Sequence, residues 1–122
     1  MSTPTLQQAY PLIQALVAAL GAGDSAALQR LCAVSGAVSD EMLADIGDYL
    51  APGSVLSLAP LASASQLHAG GRPAIDSYVT HAGALGVECV LYAGGRPGEA
   101  ILHAEVSAQG GALALHYKYI GS

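Results

Sequence analysis

Residues 99–120 constrain this chain more tightly than any other stretch. Over 99–107, Ala100, Leu102, Ala104 and Val106 alternate with Glu99, Ile101, His103, Glu105 and Ser107. Over 112–120, Leu113, Leu115, Tyr117 and Tyr119 alternate with Ala112, Ala114, His116, Lys118 and Ile120. A period of two marks a strand with one buried face. Gly110-Gly111 stands between the two runs, and paired glycines supply the positive φ angles of a two-residue hairpin turn. That turn sets Gln109 opposite Ala112, and hence Val106 opposite Leu115, Ala104 opposite Tyr117 and Leu102 opposite Tyr119. Both apolar rows then share one face. A slip of one residue would mix the faces, so the hydrophobic pattern selects this register.

A third strand over 87–93 turns Val87, Cys89 and Leu91 inward and Glu88, Val90 and Tyr92 outward. Gly94-Gly95-Arg96-Pro97-Gly98 joins it to the hairpin. The outer face therefore carries Glu88, Val90, Tyr92, Ile101, His103, Glu105, His116, Lys118 and Ile120. In this register Glu105 faces His116 and His103 faces Lys118. Opposite charges across strands contribute roughly 0.2–1 kcal/mol per pair, so ion pairing accounts for much of the row. Its aliphatic and aromatic members add the anchors of a modest interface.

Composition narrows what such a face meets. Charged residues are 11% of the 122, against about 25% in an average chain. The mean hydropathy is +0.46. Neither Phe nor Trp occurs, so the core must be built from Leu, Ile, Val, Ala and Tyr. Four basic residues against nine acidic ones give a net charge of −5, and the basic residues are scattered. Nucleic-acid binding needs clustered Lys and Arg, so that class is not expected. The apolar stretch 12–22 is shorter than the roughly 20 residues of a membrane span, and no Lys or Arg precedes it as in a signal peptide. Cys32 and Cys89 fall on apolar faces without metal or redox spacing, as buried free thiols of a cytoplasmic protein would.

The rest of the chain reads as helices followed by short extended pieces. Leu12, Ile13, Leu16, Val17 and Leu20 form a helical stripe, with Pro11 in its first turn or kinking a helix begun near Pro4, and Gly21 and Gly23 ending it. Asp24 caps a second helix. Ser39 caps a third over 39–50, with Asp40 and Glu41 set against its dipole and Pro52-Gly53 as its stop. A strand over 55–61 contains Pro60, which implies an edge or a bulge. A short extended piece covers 66–69. The apolar spacing of Ile75, Tyr78, Val79 and Ala82 favours a helix over 73–83 beginning at Pro73; the alternative is a strand over 75–79 in a hairpin around Gly70-Gly71. The expected fold is one α+β domain over 1–122. Helices lie mainly within 5–50 and pack on a curved antiparallel sheet mainly within 55–120, in a cone-like arrangement.

Two segments carry a family resemblance. Residues 18–31 resemble the helix–Gly-Asp–helix opening of nuclear-transport-factor-2-like (polyketide-cyclase-like) domains. Residues 68–79, with Gly71-Arg72-Pro73-Ala74-Ile75 and Tyr78, are similar to the Gly-Arg-x-Ala-Ile segment that begins the third helix of that family. Together they cover about a quarter of the chain. The resemblance implies a cone of helices and sheet, often dimeric through its outer sheet face, sometimes with a pocket for a small hydrophobic ligand. An isomerase- or lyase-like member would place acids and bases inside that cone. Here the inward strand positions are apolar apart from Tyr117, Tyr119 and Cys89, so an acid–base group must come from elsewhere. Asp76, His81 and His68 are the candidates, with Tyr117 as the polar handle. The four histidines lack metal-ligand spacing, and no cofactor is expected. The favoured expectation is a small non-catalytic binding domain, of the kind found among bacterial immunity or accessory proteins. It would act by protein contact, as a homodimer or with a partner, through Glu88, Val90, Tyr92, Ile101, His103, Glu105, His116 and Lys118.

Overall fold

Thr5 begins the ordered architecture by closing a reciprocal cap: its hydroxyl accepts from Gln8 N–H at 3.1 Å while Gln8 accepts from Thr5 N–H at 2.9 Å. Helix α1 (Leu6–Ala22) follows and buries Ile13, Leu16, Val17 and Leu20 along one stripe. Pro11 lies in its second turn, exposed, and neither opens nor ends the helix. Gly23 ends it at φ 66°. Asp24 caps α2 (Ser25–Cys32) through Ala27 N–H at 3.1 Å, as expected. The computed structural model describes residues 2–51, 54–67 and 71–122; Pro52-Gly53 and His68-Ala69-Gly70 lie outside it.

The third helix, α3 (Gly36–Gly47), starts earlier than expected. Ser35, not Ser39, is its N-cap, accepting from Val38 N–H at 3.2 Å. Ser39 is fully buried within the first turns. Its hydroxyl donates to the Gly36 carbonyl at 2.8 Å and accepts from Ser25 Oγ at 2.7 Å, which ties α3 to α2. Burial recruits the second serine as a helix–helix clasp and leaves the cap to the first. Asp40 and Glu41 then stand past the helix start, where the dipole no longer favours them strongly.

Five strands form one antiparallel, strongly curled half-barrel. They are β1 (Leu56–Leu58), β2 (Ile75–Val79), β3 (Leu85–Ala93), β4 (Arg96–Gln109) and β5 (Ala112–Gly121). The order is β1-β3-β4-β5, and β2 pairs with the same edge of β3 as β1, further along. The strand expected over 55–61 is cut to three residues, because Pro60 opens a 3-10 turn at Leu61–Ser63. Helices pack on the inner face, where Val87, Cys89, Leu91, Leu102, Ala104 and Val106 meet the stripe of α1 together with Leu28, Met42 and Ile46. A Cβ on Gly21 would stand 3.1 Å from the Leu56 β-carbon, so this glycine lets α1 close on β1. Among the described residues no helix is long and apolar enough to cross a membrane.

Residues 73–83 are not a helix. Ile75–Val79 is a strand laid antiparallel on β3, and Thr80 to Ala84 close the turn with Gly83 at φ 82°. The β-branched and aromatic residues Ile75, Tyr78, Val79 and Thr80 favour extended backbone, and a helix this short has little stability of its own. Pairing with β3 decides the outcome. The Leu67–Pro73 bridge shows the chain also doubling back just before β2.

The hairpin register holds from Gln109–Ala112 through Val106–Leu115 to Ala104–Tyr117 and then breaks. A bulge at Lys118 leaves His103 opposite Tyr119 and Leu102 opposite Ile120. Tyr119 therefore faces outward and Ile120 inward, the reverse of the alternation, and His103 no longer faces Lys118. Ile120 is 8% exposed and Tyr119 53%. The extra residue places an aliphatic side chain in the core and a phenol in water, the better distribution of the two.

Candidate contact surface on the outer sheet face

The register sets the outer face in two rows. Asp76, Glu88, His103 and Tyr119 run across β2, β3, β4 and β5, and beside them run Tyr78, Gly86, Glu105 and His116. Cross-strand pairing alone fixes these neighbours. It also sets two carboxylates, Asp76 and Glu88, directly opposite each other, an unfavourable pairing unless cations attend it. Arg72 supplies one, with Nη1 3.1 Å from Glu88 Oε1. His103 Nδ1 stands 3.9 Å from the other Glu88 oxygen. Asp76 makes no ion pair among the described residues.

Two aromatic rings lie over these rows. The Tyr78 ring rests against Gly86, in the volume a β-carbon there would fill, so the missing side chain is what seats it. The Tyr119 ring stacks on His103 with centroids 4.0 Å apart and 13° between planes. Both keep an open side, at 44% and 53% exposure. The Tyr78 hydroxyl is held above its ordinary pKa, first by burial, then by Glu88, Glu105, Tyr119 and Asp76. The two rings and the carboxylates thus share one electrostatic neighbourhood.

The expected interface residues divide between this surface and the interior. Glu88, His103, Glu105, His116 and Lys118 are on the outer face. Glu105 faces His116 as expected, yet its ion partner is Lys118 at 3.6 Å, while His116 Nε2 lies 3.1 Å from Ser107 Oγ. Tyr92 is half-buried. Val90 and Ile101 pair with each other at 4% and 7% exposure, so neither is available as an anchor. The exposed aromatic residues of this face that sequence reasoning missed are Tyr78 and Tyr119. The first was assigned to a helix and the second to the core. The glycine at position 86, at the start of β3, is the available clue to the first, since a glycine in a strand marks a close approach.

The acid–base candidates do not come together. Asp76 lies on the outer face of β2 and His81 in the exposed turn after it. Tyr117 is on the inner face, its hydroxyl 3.4 Å from Asp45 Oδ2 of α3, and burial, ahead of that carboxylate, raises its pKa. His68 lies outside the described residues. Tyr10, also part-buried, donates to the Ala59 carbonyl at 2.6 Å. Tyr117 and Tyr10 both pack against the buried apolar cluster. No group of three or more His, Cys, Asp or Glu among the described residues is placed to hold a metal ion.

Comparison with known proteins gives no match. No family model, curated protein or solved structure matches this chain.

Proposed function

We propose that this domain acts by protein contact, without catalysis, and that the outer sheet face around Tyr78, His103, Glu105, Lys118 and Tyr119 is its working surface. The observation that carries the reading is the seating of Tyr78 on Gly86 and of Tyr119 on His103. Rings fixed by the fold and open on one side lose little freedom on binding, and tyrosine is enriched among the residues that dominate interface energies. Charged and polar groups surround them as a rim. At the level of layout we also propose kinship with nuclear-transport-factor-2-like domains. The helix–Gly-Asp–helix opening and the helix-covered curled sheet support it, and the strand at Ile75–Val79 departs from the family's third helix. In that family the outer sheet face is a common dimer surface.

The test is light scattering coupled to size-exclusion chromatography on the wild type and on Tyr78→Lys with Tyr119→Lys. Pull-down from the source cells runs in parallel, and circular dichroism checks the fold. Loss of a dimer, or of a reproducible partner, in a folded double variant is the expected result. A wild type that stays monomeric and recovers no partner defeats the proposal, as does a double variant with unchanged associations.

A further inference from the structure

Resting on the contact reading above, we propose that the partner seated on this face is a basic protein segment, with an arginine side chain stacked over Tyr78 and Tyr119 and paired with Asp76 and Glu88. The aromatic geometry gives the first reason. A guanidinium within about 6 Å of a phenol ring is attracted by its π face, and its flat shape matches a ring already held flat. Tyr78 has one side against Gly86 and Tyr119 one side against His103, so each offers its other side.

Charge gives the second reason. The outer rows hold three carboxylates, Asp76, Glu88 and Glu105. Among the described residues of this face, Arg72 and Lys118 are committed to Glu88 and Glu105. Asp76 faces Glu88 across the strand pair with no ion pair of its own among the described residues, so a cation from outside relieves a like-charge juxtaposition within the fold. The whole chain, at −5, attracts the same partner at longer range. A second copy of the chain fits worse. Two such faces brought together would oppose carboxylate rows of the same sign, and each whole molecule would repel the other.

The probe is hexa-arginine peptide, titrated into the isotopically labelled wild type at low and at physiological salt, with amide shifts followed by nuclear magnetic resonance. Hexa-lysine is the comparison, because it has the charge without the planar group. The expected result has three parts. Shifts concentrate on residues 76–78, 86–88, 103–105 and 119; hexa-arginine binds several-fold more tightly than hexa-lysine; and Tyr78→Leu with Tyr119→Leu weakens hexa-arginine at least five-fold with an unchanged fold. Asp76→Asn, which disturbs no ion pair among the described residues, weakens it about two- to three-fold. Shifts spread over the helix carboxylates Asp24, Asp40, Glu41 and Asp48 would overturn the proposal. Equal affinity for the two peptides, or an unaffected leucine variant, would do the same. If the peptide fails while the two lysine substitutions still split a dimer, the basic partner is wrong, the contact reading stands and a second copy is the occupant. If both experiments are negative, both readings fall.

Discussion

Cys89 offers the sharpest physical test of how this fold is packed. Its thiol is 0% exposed, at the centre of the inner face between Ile75 and Leu102. Burial, with Glu88 adding a smaller push, raises its pKa from 9.0 to about 12. The folded chain therefore keeps a proton that the unfolded chain gives up above pH 9. A group of this kind stabilises the fold fully below pH 9, and the contribution is lost as pH rises toward 12. Each pH unit well inside that window removes about 1.4 kcal/mol, so on the order of 2–3 kcal/mol is gone at pH 11. That is a large share of the roughly 5–15 kcal/mol of a typical domain. Cys32, raised to about 11 by burial, adds to the same slope. The assay is urea unfolding at half-unit steps from pH 8 to pH 11, under reducing conditions, for the wild type and Cys89→Ala. The variant loses some stability at every pH through the cavity it leaves. Its decline between pH 9 and pH 11 should nonetheless be about 2 kcal/mol shallower. Parallel curves would refute the reasoning, and so would rapid labelling of Cys89 by a thiol reagent in the folded protein at pH 8.

Other substitutions separate the two faces of the sheet. Ile120→Ala should cost about 2–4 kcal/mol and Tyr119→Ala under about 1 kcal/mol in urea unfolding, the reverse of what unbroken alternation would give. Leu102→Ala, at the fully buried centre of β4, should cost about 2–5 kcal/mol by the same measurement. Gly86→Ala should change stability by no more than about 1 kcal/mol, because the strand tolerates a methyl better than the Tyr78 ring does. It should displace that ring and bring the Tyr78 titration, followed by ultraviolet absorbance, down toward the ordinary phenol range. Ser39→Ala should cost about 1–2 kcal/mol by leaving the Ser25 hydroxyl without its helix–helix partner.

Much of this structure is legible in the sequence where one rule acts alone. Gly110-Gly111 has φ values of 56° and 83°, and four expected cross-strand pairs, from Gln109–Ala112 to Ala104–Tyr117, follow from it. Asp24 and Gly23 sit where capping chemistry requires. The misreadings occur where two rules compete. Tyr117-Lys118-Tyr119-Ile120 alternates without interruption, so nothing local marks a bulge; the preference of the core for Ile120 over a phenol decides it. Ser35 and Ser39 are both competent caps, and only the contact of the buried Ser39 with Ser25 shows why the second is used otherwise. At Ile75–Val79 the three-and-four spacing is accidental. Tyr78 and Val79 are exposed, and the strand is specified by the β3 edge it completes. That edge begins just past the Thr80–Ala84 turn, and the apolar spacing of 73–83 carries no sign of it. The outer anchors Tyr78 and Tyr119 were obscured by these two errors, whereas Glu88, His103, Glu105, His116 and Lys118 follow from parity alone.

The claim that the outer sheet face is the working surface is tested most directly by site-specific photo-crosslinking in the source cells. The photoreactive residue replaces Tyr119 in one experiment and Val55 in the other. Val55 is 71% exposed against 53% for Tyr119 and lies beside Gly94, away from the two outer rows. Exposure alone would make Val55 the more reactive site. The account predicts a discrete adduct from position 119 and none from position 55. Adducts of equal yield from both positions, or from position 55 only, would contradict it.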